Sequence, residues 1–330
     1  MTRREFIAAS IALASTEVAL STPPAAAAAA SGPIQLPPRS GAAVWLDLDQ
    51  AQLDAAYTQS YFAPNQTQVI ERWTQASNIA LRHLEPPLRA AYGPAASESL
   101  DVYRCAQPGA PIAVFIHGGA WRGGSAREYA FVAEPFMHAG AHCVIPDFSW
   151  VQDVGGDLMQ VAEQVRRSLA WVWRNAASFG GDRSRIHVFG QSSGAHLAGC
   201  LISTQWADYG LPAAPIRAAI LCSGMYDLAP VRLSVRSSYV RFTDQSVQAL
   251  SPQRHLDQIN APLIVAHGDY ETPEFQRQAR DFVAALRAAN KPVELLSAHG
   301  YNHFELMETL GNPYGVFGRA ALAQMGLGAA

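Results

Sequence analysis

From Leu100 onward, short apolar runs alternate with longer stretches in which apolar positions recur every three to four residues. The runs are LDVYR at 100, IAVFI at 112, HCVIPDF at 142, IHVFG at 186, AAILCSG at 218, PLIVAHG at 262 and VELLSAHG at 293. Each is short, rich in β-branched or aromatic residues and bounded by turn formers, so each predicts a strand. Their nearly unbroken apolarity predicts a sheet covered on both faces. The stretch from Val161 to Ala177 carries the helical period between two of these runs. Strands separated by helices predict an α/β fold with a mostly parallel central sheet and helices on both faces. Ahead of Leu100, a polar region from about Asp47 to Ala91 reads as helical, and before it residues 31–46 form a Pro-rich linker with Pro33, Pro37 and Pro38. The expected organisation is one domain over 47–330, in which residues 228–259 sit where a cap over a site would be inserted.

The N-terminus follows a different pattern. Thr2-Arg3-Arg4-Glu5-Phe6-Ile7 resembles a twin-arginine export signal, followed by a modestly apolar segment and an alanine run, Ala25 to Ala30, with small-residue cleavage sites. Residues 1–30 are therefore expected to be removed and the mature protein to act in a bacterial periplasm or outside the cell. Glu17 interrupts the apolar segment, which is too short to span a bilayer, and no later segment reaches the ~20 apolar residues of a spanning helix. A net charge of −3 argues against nucleic acid or an anionic membrane surface as partner and leaves a small-molecule substrate. Cys105, Cys143, Cys200 and Cys222 show no C-x-x-C spacing, so no metal site is expected and buried thiols are the default. No nucleotide fingerprint or P-loop occurs, and no cofactor is expected.

The chemistry starts at Gly190-Gln191-Ser192-Ser193-Gly194, which follows the strand IHVF and opens the helical stretch AHLAGCLIST. In that context G-x-S-x-G predicts a nucleophile elbow, a sharp strand-to-helix turn that exposes a serine hydroxyl in a strained backbone. A serine nucleophile needs a base and the base an orienting acid, in the chain order serine, acid, histidine. Both later slots are filled. Asp269, Glu271 and Glu274 follow the strand PLIVAHG; Glu271 is preferred because three residues past Gly268 a turn can aim its carboxylate back, with Asp269 as the alternative acid and Asp227, after the preceding strand, a weaker one. His303 lies beyond the last strand in a glycine-containing loop and is preferred as base over His299 at the strand end. The glycines of His117-Gly118-Gly119-Ala120-Trp121 end an early strand. Backbone N–H groups of Gly119 and Ala120, joined by that of Ser193, are placed to form an oxyanion hole, whose donors are each worth about 3–4 kcal/mol to a developing anion. His117 reads as a structural hydrogen-bonding group of that loop, and His196 as structural. Trp121, Phe148, Trp150 and Tyr226 follow strand ends on the expected active face as candidate pocket walls.

Taken together, HGGAW, GQSSGAHLAG, GDYETPEFQRQ and GYNHF, with LDAAYTQSYFAPN and AYGPAASESLDVYR nearer the N-terminus, resemble the kynurenine formamidase (arylformamidase) and carboxylesterase branch of the α/β-hydrolase superfamily. The resemblance runs over most of the mature chain. It implies the α/β-hydrolase fold, Ser192, Glu271 and His303 as the triad, Gly119 and Ala120 in the oxyanion hole, and hydrolysis of N-formyl-kynurenine or of small acyl or aryl esters. An export signal departs from the usual intracellular setting of kynurenine formamidases and points to environmental esters, amides or carbamates as the other substrate class. A catalytically silent protein on this fold typically lacks a triad member, whereas here every slot is occupied.

Overall fold

The sheet has eight strands, and the chain enters it from one edge: β1 (Leu88–Ala91), β2 (Ser99–Tyr103), β3 (Ala110–Ile116), β4 (His142–Pro146), β5 (Gly181–Gln191), β6 (Ala218–Cys222), β7 (Leu263–Gly268) and β8 (Val293–Ala298). This computed structural model describes residues 34–328, so the expected signal at 1–30 and the first residues of the linker lie outside the described residues. The spatial order is β1-β2-β4-β3-β5-β6-β7-β8. β1 and β2 run antiparallel to their neighbours, and every pairing from β4 to β8 is parallel.

The strands are apolar at successive positions because both faces are covered. Ile112, Val114 and Ile116 of β3 share one core with Val188, Leu221 and Val265. Against that face pack α5 (Leu158–Asn175), α6 (Ser193–Ile202) and α9 (Pro273–Ala288), through residues such as Val161, Leu169, Leu197 and Phe282. Ala113 and Phe115, one residue out of phase, point into the second core with Cys143, Ile145, Phe189 and Ile220. That face is covered by α3 (Gln66–His83), α4 (Ala133–His138), α10 (His303–Glu308) and α11 (Val316–Gln324). A two-residue period sorted into two apolar layers explains why alternation is invisible in the sequence of these strands.

Among the described residues three helices precede the sheet, α1 (Gln50–Ala56), α2 (Gln59–Phe62) and α3, but the region expected to be helical to Ala91 is not helical throughout. Pro86 and Pro87 follow α3, and proline both lacks an amide donor and disfavours helix at the preceding residue. Leu88–Ala91 instead pairs with β2 and becomes the sheet edge. Between β6 and β7, where a cap was expected, the chain forms the short helices α7 (Leu228–Val231) and α8 (Asp244–Ala249) with a 3₁₀ turn at Val235–Ser238.

The topology fixes where a site can be. From β3 the chain moves to β4 on one side and then returns to β5 on the other, so the order reverses between β3 and β5. Loops leaving the carboxyl ends of those strands part in opposite directions and open a crevice. The two glycine-bearing motifs sit at the crevice edges. Gly194, in the first turn of α6, lies so near the end of β3 that a β-carbon there would be 2.1 Å from the Ile116 carbonyl oxygen and 2.4 Å from that of His117. Gly190 is similarly confined, with the Gly194 carbonyl oxygen 2.5 Å from where its β-carbon would be. Gly194→Ala must push helix from strand, and overpacking of this kind costs about 3 kcal/mol, a fall in Tm of roughly 6–12 °C. Thermal unfolding of the variant tests this; a Tm within about 2 °C of the parent would refute the close approach.

Candidate active site

Ser192 terminates β5 in a backbone conformation of φ 58° and ψ −126°, which an L-residue adopts only at a cost of order 1–3 kcal/mol. The turn is held from both sides: its amide donates to the Cys222 carbonyl at 2.9 Å, and its carbonyl accepts from His196 at 3.1 Å. The two glycines supply the room that this requires. Ser193 then begins α6, so its N–H faces outward at the amino end of a helix.

His303 is the first residue of α10. Asn302 caps that helix by accepting from the Phe304 and Glu305 amides, while Glu305 accepts from the Asn302 amide. Asn65, just before α3, hydrogen-bonds both Asn302 and Glu305, which ties α10 to the N-terminal helices. The imidazole is buried, with the rings of Phe275 and Phe304 edge-on at 5.3 Å. Its Nδ1 lies 3.0 Å from Glu271 Oε2. The other oxygen of Glu271 accepts from the Gly268 amide at 2.7 Å and from the Ser223 hydroxyl at 2.5 Å. These donors fix the carboxylate so that Oε2 accepts the Nδ1 proton, leaving Nε2 as the lone-pair nitrogen. The Gln191 side-chain amide is 3.1 Å from Nε2 and donates to it in this tautomer.

The other acids and the other histidine are engaged elsewhere. Asp269 accepts from the Gly300 amide and pairs with the largely exposed His299. Glu274 is bound by Arg277 and the Tyr57 hydroxyl. Asp227 caps α7 and pairs with Arg254.

Opposite Ser192, the loop after β3 has three consecutive residues at positive φ: Gly119 at 113°, Ala120 at 55° and Trp121 at 61°. A β-carbon at Gly119 would sit 2.1 Å from the Gly123 carbonyl oxygen, so the turn requires glycine there. His117 braces the loop. Its Nδ1 pairs with the Gly118 carbonyl at 2.8 Å, and its ring is stacked on Phe148 at 4.4 Å and Tyr129 at 5.5 Å. Burial lowers its pKa below the ordinary imidazole range, as burial does for His196, held near 4. The N–H groups of Gly119, Ala120 and Ser193 donate to no acceptor among the described residues. Ser193 is buried, whereas Gly119 is exposed and Ala120 half-buried, so these N–H groups are left free for solvent or a ligand oxygen at the crevice.

These residues open onto a cavity of about 810 Å³, within the range that holds a small organic molecule. Gly119, Ala120, Gln191, Ser192 and His303 form its floor. Its walls mix polar and aromatic side chains, and the aromatics are not those expected from sequence. Tyr57, Trp73, Tyr129, Tyr239 and Phe304 line it. Trp121, Phe148 and Tyr226 are instead buried in the first core, and Trp150 is partly exposed with its indole N–H on the Gly124 carbonyl. Strand-end position located the active face but not the direction of these side chains: Tyr226 turns inward to stack on Phe282, and Phe148 on His117. Sequence reasoning also missed Ser223, Gln191 and the wall supplied by α2 and α3. A serine directly after a strand on the active face was the available signal for Ser223.

The BD-FAE family model matches residues 100–209. Kynurenine formamidase of Danio rerio is 29% identical over 279 residues, covering 81% of this chain and 93% of that protein. Esterase LipC of Mycobacterium tuberculosis is 29% identical over 250 residues, covering 67% of this chain and 60% of LipC. Among solved structures, esterase LipW from Mycobacterium marinum superposes with a TM-score of 0.64 at 19% identity, covering 82% of this chain and 90% of that one. The eight-stranded sheet, the strained serine turn and these likenesses give the chain an α/β-hydrolase fold and a similarity to hydrolases of the esterase and formamidase kind.

Proposed function

We propose that this protein hydrolyses aryl esters or aryl formamides through an acyl-enzyme on Ser192. The observation that carries the proposal is the convergence of Ser192 and His303 on one cavity floor beside the free N–H groups of Gly119, Ala120 and Ser193. In this reading Nε2 of His303 takes the Ser192 proton as Oγ attacks the substrate carbonyl, and the resulting imidazolium is stabilised by Glu271 at Nδ1. The anion on the former carbonyl oxygen is met by the three free N–H groups, which need no reorganisation when charge develops. The imidazolium returns the proton to the departing alkoxide or amine, and the acyl group remains on Ser192. Water then attacks the acyl carbonyl with His303 again as base, releasing the acid, formate in the case of a formamide, and restoring Ser192.

Gln191 shields Nε2 in the free protein and must yield that position when Ser192 and substrate occupy it. Ser223 acts through Glu271, holding the carboxylate oxygen that does not face the imidazole. The aromatic walls favour a flat ring in the leaving group or acyl part, and the names of the formamidase and esterase relatives are in keeping with both bond types.

Ser192→Ala should lower kcat by on the order of 10⁶ on 4-nitrophenyl acetate and on N-formyl-L-kynurenine, since members of a triad act as a unit. Steady-state rates on both compounds test this, and a loss of tenfold or less would remove Ser192 from the nucleophilic role. Ser223→Ala should lower kcat roughly tenfold with KM little changed, because a hydrogen bond to a charged group is worth about 1.5–3 kcal/mol. An unchanged kcat would remove Ser223 from the positioning of Glu271.

A further inference from the structure

We infer that the cavity takes a substrate bearing an anionic group, a carboxylate in the simplest case, and that Arg236 is the residue that selects it. The inference deepens the proposed hydrolase function and rests on that reading for the identity of the site. Arg236 lies in the 3₁₀ turn between α7 and α8 and is 5% exposed, yet it lines the cavity. A guanidinium carries five N–H donors. Here Nη1 donates to the Tyr239 hydroxyl at 3.0 Å and Nη2 to the Tyr57 carbonyl at 3.1 Å, while Nε has no partner. No carboxylate among the described residues lies within ion-pair distance of it. The nearby buried acids are committed, Glu274 to Arg277 and Tyr57, Glu271 to His303, Ser223 and Gly268.

Burying a cation without an anion is costly, and proteins rarely do so without a use for the charge. The compensation present is partial and itself constructed. The guanidinium carbon lies 5.5 Å from the centre of the Trp121 ring and 5.9 Å from that of Phe275, at the outer range of cation–π attraction. Trp121, expected as a pocket wall, thus backs the arginine from behind. A purely structural strut would not need a charged group to join two neutral oxygens. The surroundings repeat the bias. Arg122, exposed and stacked on Tyr239, is a second arginine on the lining, and Glu128, also exposed, is the one acid there. Gln59, also on the lining, has both amide atoms buried and unpartnered. A planar carboxylate accepts two parallel N–H bonds from a guanidinium, a geometry that an ammonium cannot match.

The test compares substrates that differ only in the charge. 4-Nitrophenyl hydrogen glutarate is set beside 4-nitrophenyl valerate, which places the carboxylate on the acyl side. 4-Acetoxybenzoate is set beside its methyl ester, which places it on the leaving group. Each kcat/KM is divided by the rate of the same compound with hydroxide. In the parent protein at least one pair should favour the charged member tenfold or more, and Arg236→Gln should lower that ratio about 10–100-fold, with Arg236→Lys between. A ratio near one for both pairs in the parent overturns the inference, as does a preference that survives in Arg236→Gln or an equal fall for both members of a pair, the mark of a structural role. Should Arg236→Gln not fold, calorimetric titration of the Ser192→Ala protein with glutarate monoethyl ester against ethyl valerate decides the matter: tighter binding of the anion supports the inference, and equal binding overturns it. Ester turnover that depends on Ser192 but shows no charge preference sinks the anion site alone, whereas anion binding in a protein without Ser192-dependent turnover sinks the hydrolase reading alone.

Discussion

Everything at the site depends on one close approach between two backbones. The first turn of α6 comes against the carbonyl ends of β3 at Ile116 and His117, with room for a hydrogen atom at Gly194 and nothing larger. That contact sets the strained turn at Ser192 beside the loop that carries Gly119 and Ala120. Strand order makes the contact available, because the two motifs leave neighbouring parallel strands at the point where the chain reverses its direction of travel across the sheet. The strain is affordable because two dense apolar layers clamp β3 and β5 from both faces.

The polar part of the site is built on the same rule that governs buried charge generally. Glu271 is buried but has three donors, and His303 is buried but paired at both nitrogens. Such groups hold their geometry because any departure leaves a polar atom unpaired in a medium that cannot solvate it. Arg236 stands apart as a buried ion with no carboxylate within ion-pair distance among the described residues, on the lining of the cavity.

What could be read from sequence was local and periodic. Runs such as IAVFI and AAILC name their own strands, and G-x-S-x-G names its turn because glycine is demanded by contacts that span only a few residues or a neighbouring strand. Chain order put Glu271 and His303 in the acid and histidine slots, and the fold brings these two side chains together while Asp269 is diverted to Gly300 and His299. The cavity wall was not legible. Tyr57, Trp73 and Tyr239 come from segments far apart in the chain, and the side chains of Phe148 and Tyr226 turn toward the core for reasons of packing that strand-end position does not encode. The edge strand β1 was lost for a similar reason, since its four residues gain their conformation from pairing with β2 rather than from their own pattern.

In the proposed reaction the crevice between β3 and β5 stabilises an oxyanion formed on Ser192. A crystal structure of the protein after reaction with a 4-nitrophenyl alkylphosphonate tests it directly. Phosphorus should be bonded to Ser192 Oγ, with its free oxygen about 2.7–3.1 Å from the N–H groups of Gly119, Ala120 and Ser193. An adduct on another residue, or a phosphonyl oxygen turned away from all three donors, would contradict it.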